Sequence, residues 1–118
     1  MDFETLRDYL LSKPAAEEDF PFDTTTLVLK VSGKMFALLG IDQEPLRINL
    51  KCDPLKAELL RERYPAILPG YHMNKRHWNT VVLDGSLGDK MVRELIDESY
   101  ALVVRGLPKA RRPASCPA

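Results

Sequence analysis

The strongest constraint on the fold is a change of hydrophobic period at Thr25. Leu27, Leu29 and Val31 share one face of an extended chain, Ser32-Gly33 is a two-residue turn signal, and Met35, Ala37, Leu39 and Ile41 resume the alternation. After a second turn at Asp42 to Pro45, Leu46, Ile48 and Leu50 alternate with Arg47, Asn49 and Lys51. Turns this short join antiparallel neighbours, so the pattern commits the chain to a meander rather than to parallel βαβ units. It also implies one apolar face that other elements must cover. The opposite face, carrying Lys30, Arg47, Asn49 and Lys51, is left to solvent or to a partner.

Helical spacing supplies the cover. Phe3, Leu6 and Leu10 follow Asp2, a good N-cap, and Pro14 forbids continuation, which predicts a helix over 3–12. Asp53-Pro54 opens a second helix over 54–64 with Leu55, Leu59 and Leu60 as its apolar stripe. Ser86 and Asp89 read as a capping box before a long closing helix, in which Met91, Val92, Leu95, Ile96, Leu102 and Val103 keep helical spacing to Gly106 and Pro108. Ser99 interrupts that stripe, where it can admit another backbone or bond back to its own helix. Residues 14–24, with two prolines and the run Glu17-Glu18-Asp19, read as a loop. Phe20 and Phe22 alternate there as the start of an edge strand would, and are expected to anchor the loop to the core. A short strand at 66–68 precedes the Pro69-Gly70 turn, and Trp78 to Leu83 form a strand closed by Asp84-Gly85.

The expected class is therefore α+β: an antiparallel twisted sheet packed on one face by helices, in the order α-β-β-β-α-β-β-α. With 118 residues, 45% of them hydrophobic and 29% charged, the chain can bury one core, and residues 1–108 are expected to form a single domain. Residues 109–118 lack a periodic apolar pattern and are expected to be a disordered tail.

Lysine plus arginine equals aspartate plus glutamate, 17 against 17, so no global field favours nucleic acid or membrane, and any electrostatic binding must use a local patch. The opening Met1-Asp2-Phe3-Glu4 lacks the basic-then-apolar layout of a secretory signal, and no apolar run is long enough for a bilayer; a cytoplasmic location without membrane association is expected. Cys52 and Cys116 have neither disulfide-framework nor metal-binding spacing and read as unpaired thiols.

Recognition-type residues concentrate in Tyr71-His72-Met73-Asn74-Lys75-Arg76-His77-Trp78-Asn79, which holds both histidines and the single tryptophan. Three readings stay open. In a nucleic-acid interface Lys75 and Arg76 pair with phosphates, Trp78 or Tyr71 stacks, and Asn74 or Asn79 bonds to base or backbone. In a structural reading Trp78 anchors a strand, Tyr71 crosses the sheet edge, and Lys75-Arg76 is a solvated loop tip. A metal or catalytic pair at His72 and His77 is disfavoured, because five-residue spacing puts the two on opposite faces of a strand. No zincin motif, phosphate loop or nucleophile elbow occurs, so neither enzyme activity nor a cofactor is expected. Asp42, Glu44 and the run from Glu17 to Asp19 read as solvated turns rather than acid/base pairs.

The run from Pro69 to Val81, with Leu50-Lys51-Cys52-Asp53-Pro54 before it and Ser99-Tyr100-Ala101-Leu102-Val103 after it, resembles the MmcQ/YjbR family over roughly residues 2–108. That family is similar in fold to CyaY, the bacterial frataxin, a sheet packed by two main helices. The resemblance implies binding of double-stranded DNA by a double wing of β-hairpins, here through Lys51, Asn74, Lys75, Arg76, His77 and Trp78; Arg47, Tyr71, His72 and Asn79 complete the candidate surface. Neutralising about five phosphates gives a log-log salt slope of about −4 to −5, so the binding is expected to be weak near physiological salt. Frataxin-like iron binding needs an acidic ridge, whereas the first helix offers Asp2, Glu4 and Asp8 interrupted by Arg7. The alternatives are a protein-interaction or homodimer module, using the exposed sheet face or edge, and a small-ligand binder or enzyme using Tyr71, His72 and Asn74.

Overall fold

The computed structural model describes residues 1–70 and 73–113. Helix α1 (Phe3–Leu11) leads into β1 (Ala16–Asp19), β2 (Thr26–Val31), β3 (Lys34–Gly40) and β4 (Arg47–Lys51); then come α2 (Pro54–Arg63), β5 (Ile67–Pro69), β6 (Trp78–Val82) and α3 (Asp89–Arg105). The strands form one six-stranded sheet in the order β1-β2-β3-β4-β6-β5, every neighbour antiparallel. This is the expected α+β class, with one strand more than expected.

The additional strand is β1, inside the acidic run read as a loop. It pairs Ala16–Asp19 with Val31–Val28 at the sheet edge and is mostly exposed, so it needs no apolar alternation. Glu18 is held by Arg7 of α1 and Asp19 by Lys30 of β2 at 3.6 Å. Phe20 and Phe22 follow the strand and do not anchor the loop: they are 45% and 63% exposed.

Core residues Leu27, Leu29, Val31, Leu39, Ile48 and Val81 point to the helical face, where Leu6 and Leu10 of α1 and Val92, Ile96, Tyr100 and Val103 of α3 cover them. The β2–β3 turn matches its sequence: Ser32 and Gly33 have φ of 49° and 80°, the two left-handed residues of a tight hairpin that glycine adopts without strain. Further along, the alternation breaks. Leu29 pairs with Ala37 but Lys30 with Met35, leaving Phe36 as the extra residue of a β-bulge. Phe36 is fully buried in the core, edge-on to Tyr100 with ring centroids 5.2 Å apart. Met35 is turned to the opposite face from Ala37, packing on Val28, Leu38 and Trp78.

Ser99 closes this irregularity. Its hydroxyl donates to the Phe36 carbonyl at 2.5 Å and accepts the Lys51 N–H at 2.8 Å, so α3 is bonded across to both β3 and β4 and not back to itself.

Two helix details depart from the sequence reading. On α2, Leu55 and Leu59 are 68% and 57% exposed while Ala57 is buried, because the small alanine lets the helix backbone approach β6 closely enough for Asn79 Nδ2 to donate to the Ala57 carbonyl at 3.5 Å. At α3 the cap is Gly88, without a side-chain bond; Ser86 instead satisfies Asp84, donating from its N–H and hydroxyl at 2.9 and 2.6 Å. The first residues of the expected disordered tail are ordered. Lys109–Arg111 form a 3-10 turn, and Arg111 donates to the Ser32 carbonyl at 2.5 Å while its own carbonyl accepts the Ser32 hydroxyl at 2.6 Å. Arg112 adds bonds to the Leu107 and Arg105 carbonyls at the α3 C-terminus, where a cation is favoured. Residues 114–118 lie outside the described residues.

Replacing Ser99 by alanine strands the Phe36 carbonyl and the Lys51 N–H in the interior, and should cost about 1–3 kcal/mol of unfolding free energy. Urea titration followed by the fluorescence of Trp78 measures it; a loss within the error of the titration would show the bridge to be dispensable.

Candidate functional site

Antiparallel order sends alternate connections to the same end of the sheet. The tip of the β2–β3 hairpin, the end of β4 at Lys51, the loop between β5 and β6, and the C-terminus of α3 with the 3-10 turn all lie at one end. Lys34, Lys51, Lys75, Arg76 and Lys109 are there, opposed by Asp53, which caps α2. Connections 20–25, 41–46 and 83–88 lie at the other end and carry Asp23, Asp42, Glu44 and Asp84 with no basic residue. A chain of zero net charge is thus folded into a molecule with a basic end and an acidic end.

At the basic end Lys34 and Lys51 border a concavity of about 300 Å³ with Trp78 and Met35, closed below by Leu102, Val103 and Leu107. No ion pair occupies Lys34, Lys51 or Arg76 among the described residues. The loop beside them is tightly built at its base. Gly70 donates to the Trp78 carbonyl at 3.0 Å, and a Cβ on Gly70 would lie 2.9 Å from the Trp78 Cβ and 3.0 Å from its carbonyl oxygen, so only glycine fits without movement. Asn74 turns the chain: its side chain accepts from Arg76 N–H at 3.0 Å, and its carbonyl accepts from the N–H groups of His77 and Trp78. The half-buried His77 accepts the Cys52 N–H at its carbonyl, 2.8 Å away, which ties the loop to the end of β4.

The candidate residues therefore divide. Lys51, Asn74, Lys75, Arg76 and His77 gather at the basic end. Trp78 is only 8% exposed, within an apolar band with Val28 and Leu38 on the face away from the helices, and offers no open ring for stacking. This band also corrects the expectation of a uniformly wet, cationic face. Asn79 is 3% exposed against α2 and cannot reach a partner; its Oδ1 has no hydrogen-bond partner among the described residues and it borders a cavity of about 10 Å³, the size of one water. Arg47 begins β4 where Lys51 ends it, which separates them by about 13 Å at the ordinary strand rise. Tyr71 and His72 lie outside the described residues. Lys34 and Lys109 were missed by sequence reading, since each is distant in sequence from the aromatic segment and only the fold brings them beside it.

Among the described residues no group of three or more His, Cys, Asp or Glu could hold a metal ion, and no helix is long and apolar enough to cross a membrane. Burial pushes the Cys52 thiol up, with the Glu98 carboxylate adding to the effect, so it stays protonated and is a poor nucleophile near neutral pH.

With this geometry in hand, comparison with known proteins is decisive about kinship. The model of the family described as YjbR matches residues 11–102. The chain belongs to the YjbR family. The uncharacterised protein YjbR of Escherichia coli K12 is 38% identical over 112 residues, covering 95% of each chain. Uncharacterised YbdF of E. coli O157:H7 is 42% identical over 106 residues, 90% of this chain and 87% of its own. Among solved structures, Deinococcus radiodurans DR2400 superposes with a TM-score of 0.87 at 46% identity, over 92% of this chain and 83% of its own. A Pseudomonas syringae protein gives 0.74 at 35% identity, over 86% and 98%.

In this YjbR-family protein the close approach at Gly70 is to the Cβ and backbone of Trp78, so Gly70→Ala cannot be absorbed by the far end of a flexible side chain. It should destabilise by about 1–3 kcal/mol, as overpacking does. Thermal or urea unfolding read at Trp78 tests this; unchanged stability would mean that the loop base is looser than its geometry indicates.

Proposed function

We propose that the protein binds double-stranded DNA weakly through the basic end of its sheet. The observation that carries the reading is the sorting of charge by topology, which collects lysines and arginines on two hairpin tips. The β2–β3 tip carries Lys34 and the β5–β6 loop carries Lys75 and Arg76, with Lys51 on the strand between them. Three strand spacings separate the two tips, about 14 Å, a span comparable with the roughly 12 Å width of the major groove. Lys34, Lys51, Arg76 and Lys109 then contact phosphates, which positions the protein without reading sequence. Trp78 and Asn79 support the surface from within. Asn74 shapes the loop, and Arg47 lies too far along β4 to share the contact.

Fluorescence anisotropy of a labelled duplex tests the assignment. Four phosphate contacts give a log-log salt slope of about −3.6. Lys51→Glu with Arg76→Glu should weaken binding by about tenfold or more at low salt and reduce the slope by about 2, with unfolding unchanged. Arg47→Glu, at the acidic end, should leave affinity within about twofold. Equal loss in both variants, or no saturable binding at low salt, would refute the basic end as a DNA surface and leave docking of a protein partner as the remaining reading.

A further inference from the structure

A second concavity lies apart from the one between Lys34 and Lys51, sharing only Met35 with it. It is an open groove of about 580 Å³ on the sheet face away from the helices, beside the loops of the acidic end. Its apolar lining is Met35, Leu38 and Met73, with Phe22 from the loop before β2. Asp23 and Asp42 supply its charge, and Thr26, Gln43 and Asn49 supply hydrogen-bonding groups. Among the described residues no lysine, arginine or histidine lines it.

We propose that this groove is a binding site for a small organic cation: a protonated amine carrying an aromatic or branched apolar body. The volume lies in the range of small-ligand sites, and an apolar floor with a few convergent polar groups is their usual composition. The sign of the ligand follows from the lining. Among the described residues both ionisable groups there are carboxylates, and Asp42 has no ion pair. Asp23 accepts the Thr25 N–H at 2.9 Å and the Thr26 N–H at 2.7 Å, which hold its carboxyl below the usual range and keep it ionised in mild acid. A carboxylate ligand meets repulsion, and a neutral one forgoes the ionic contact.

The apolar half has its own logic. Phe22 is 63% exposed, so its ring is not used by the core and is available to a cation or an aromatic ring. Met35 is on this face because of the bulge at Phe36, and with Met73 it gives the floor adaptable, polarisable side chains. Thr80 donates to Asn49 Oδ1 at 2.6 Å and so fixes the orientation of the Asn49 amide beside the floor.

Amide NMR spectra of the ¹⁵N-labelled chain, titrated at pH 7 with 2-phenylethylammonium, 2-phenylethanol and 3-phenylpropionate, test the site. The ammonium ion should give saturating shifts at Thr25, Thr26, Gln43 and Asn49 and bind about fivefold or more tightly than the alcohol, with no saturable shift from the carboxylate. Asp42→Asn and Phe22→Ala alter exposed side chains, and each should weaken ammonium binding by about threefold or more with the rest of the spectrum unchanged. Lys51→Glu with Arg76→Glu should leave it unaltered, which separates this site from the DNA surface. Equal binding of the three probes, shifts confined to other residues, or unchanged affinity in both groove variants would overturn the proposal.

Discussion

Ser99 is the one side chain through which helix, bulge and sheet are held in a single arrangement. Its hydroxyl faces the point where β3 carries an extra residue, and the Phe36 carbonyl there would otherwise lose a partner inside the core. By accepting the Lys51 N–H as well, it fixes the end of β4 against β3 under α3. Both faces of the sheet depend on this. On the helical face the bulge delivers Phe36 into the core against Tyr100; on the other it turns Met35 out to the band formed by Val28, Leu38 and Trp78. The positions of Lys34, just before the bulge, and Lys51, beside it, follow from the same bond pattern.

How much of this was legible depended on whether an element declares itself through burial. β2, β4 and α3 bury one regular face, so Leu27-Leu29-Val31, Ile48-Leu50 and the stripe from Val92 to Val103 announce them. β1 buries almost nothing; it exists because β2 offers an unpaired edge and because Arg7 and Lys30 hold two of its acids, interactions that no local pattern encodes. The bulge was invisible for a related reason, since one inserted residue changes the face of Met35 without changing the composition of the run. On α2 the three leucines outweighed Ala57 in the sequence, yet the small residue decides which side can lie close to β6.

The candidate site was legible as a segment and not as a surface. Residues 73–79 do form the base of the basic end, but much of what makes the segment conspicuous is structural. Trp78 fills the second apolar cluster, Asn79 bonds to α2, and Asn74 folds the turn. The cations that complete the surface, Lys34 and Lys109, come from other parts of the chain. Net charge gave no warning of them. In an antiparallel sheet, alternate connections share an end, so a balanced sequence becomes a polarised molecule when basic and acidic connections alternate.

That polarity is useful only where the charged tips are held in place, and the structure holds their bases rather than their ends. The first hairpin is clamped at Ser32 by the side chain and carbonyl of Arg111. The second is fixed by the Gly70–Trp78 and Cys52–His77 backbone bonds and by the turn at Asn74. A lysine or arginine on such a base still loses its own rotamer freedom on meeting a phosphate, but the backbone beneath it has already been ordered during folding. The same framework places the carboxylates of the groove, Asp23 and Asp42, about a strand length away from the basic tips. At ordinary ionic strength the screening length is about 8–10 Å, so the charges at one end are largely screened from those at the other. The zero sum over the chain therefore constrains the long-range field, while recognition at either end is set by the groups within a few ångströms of it.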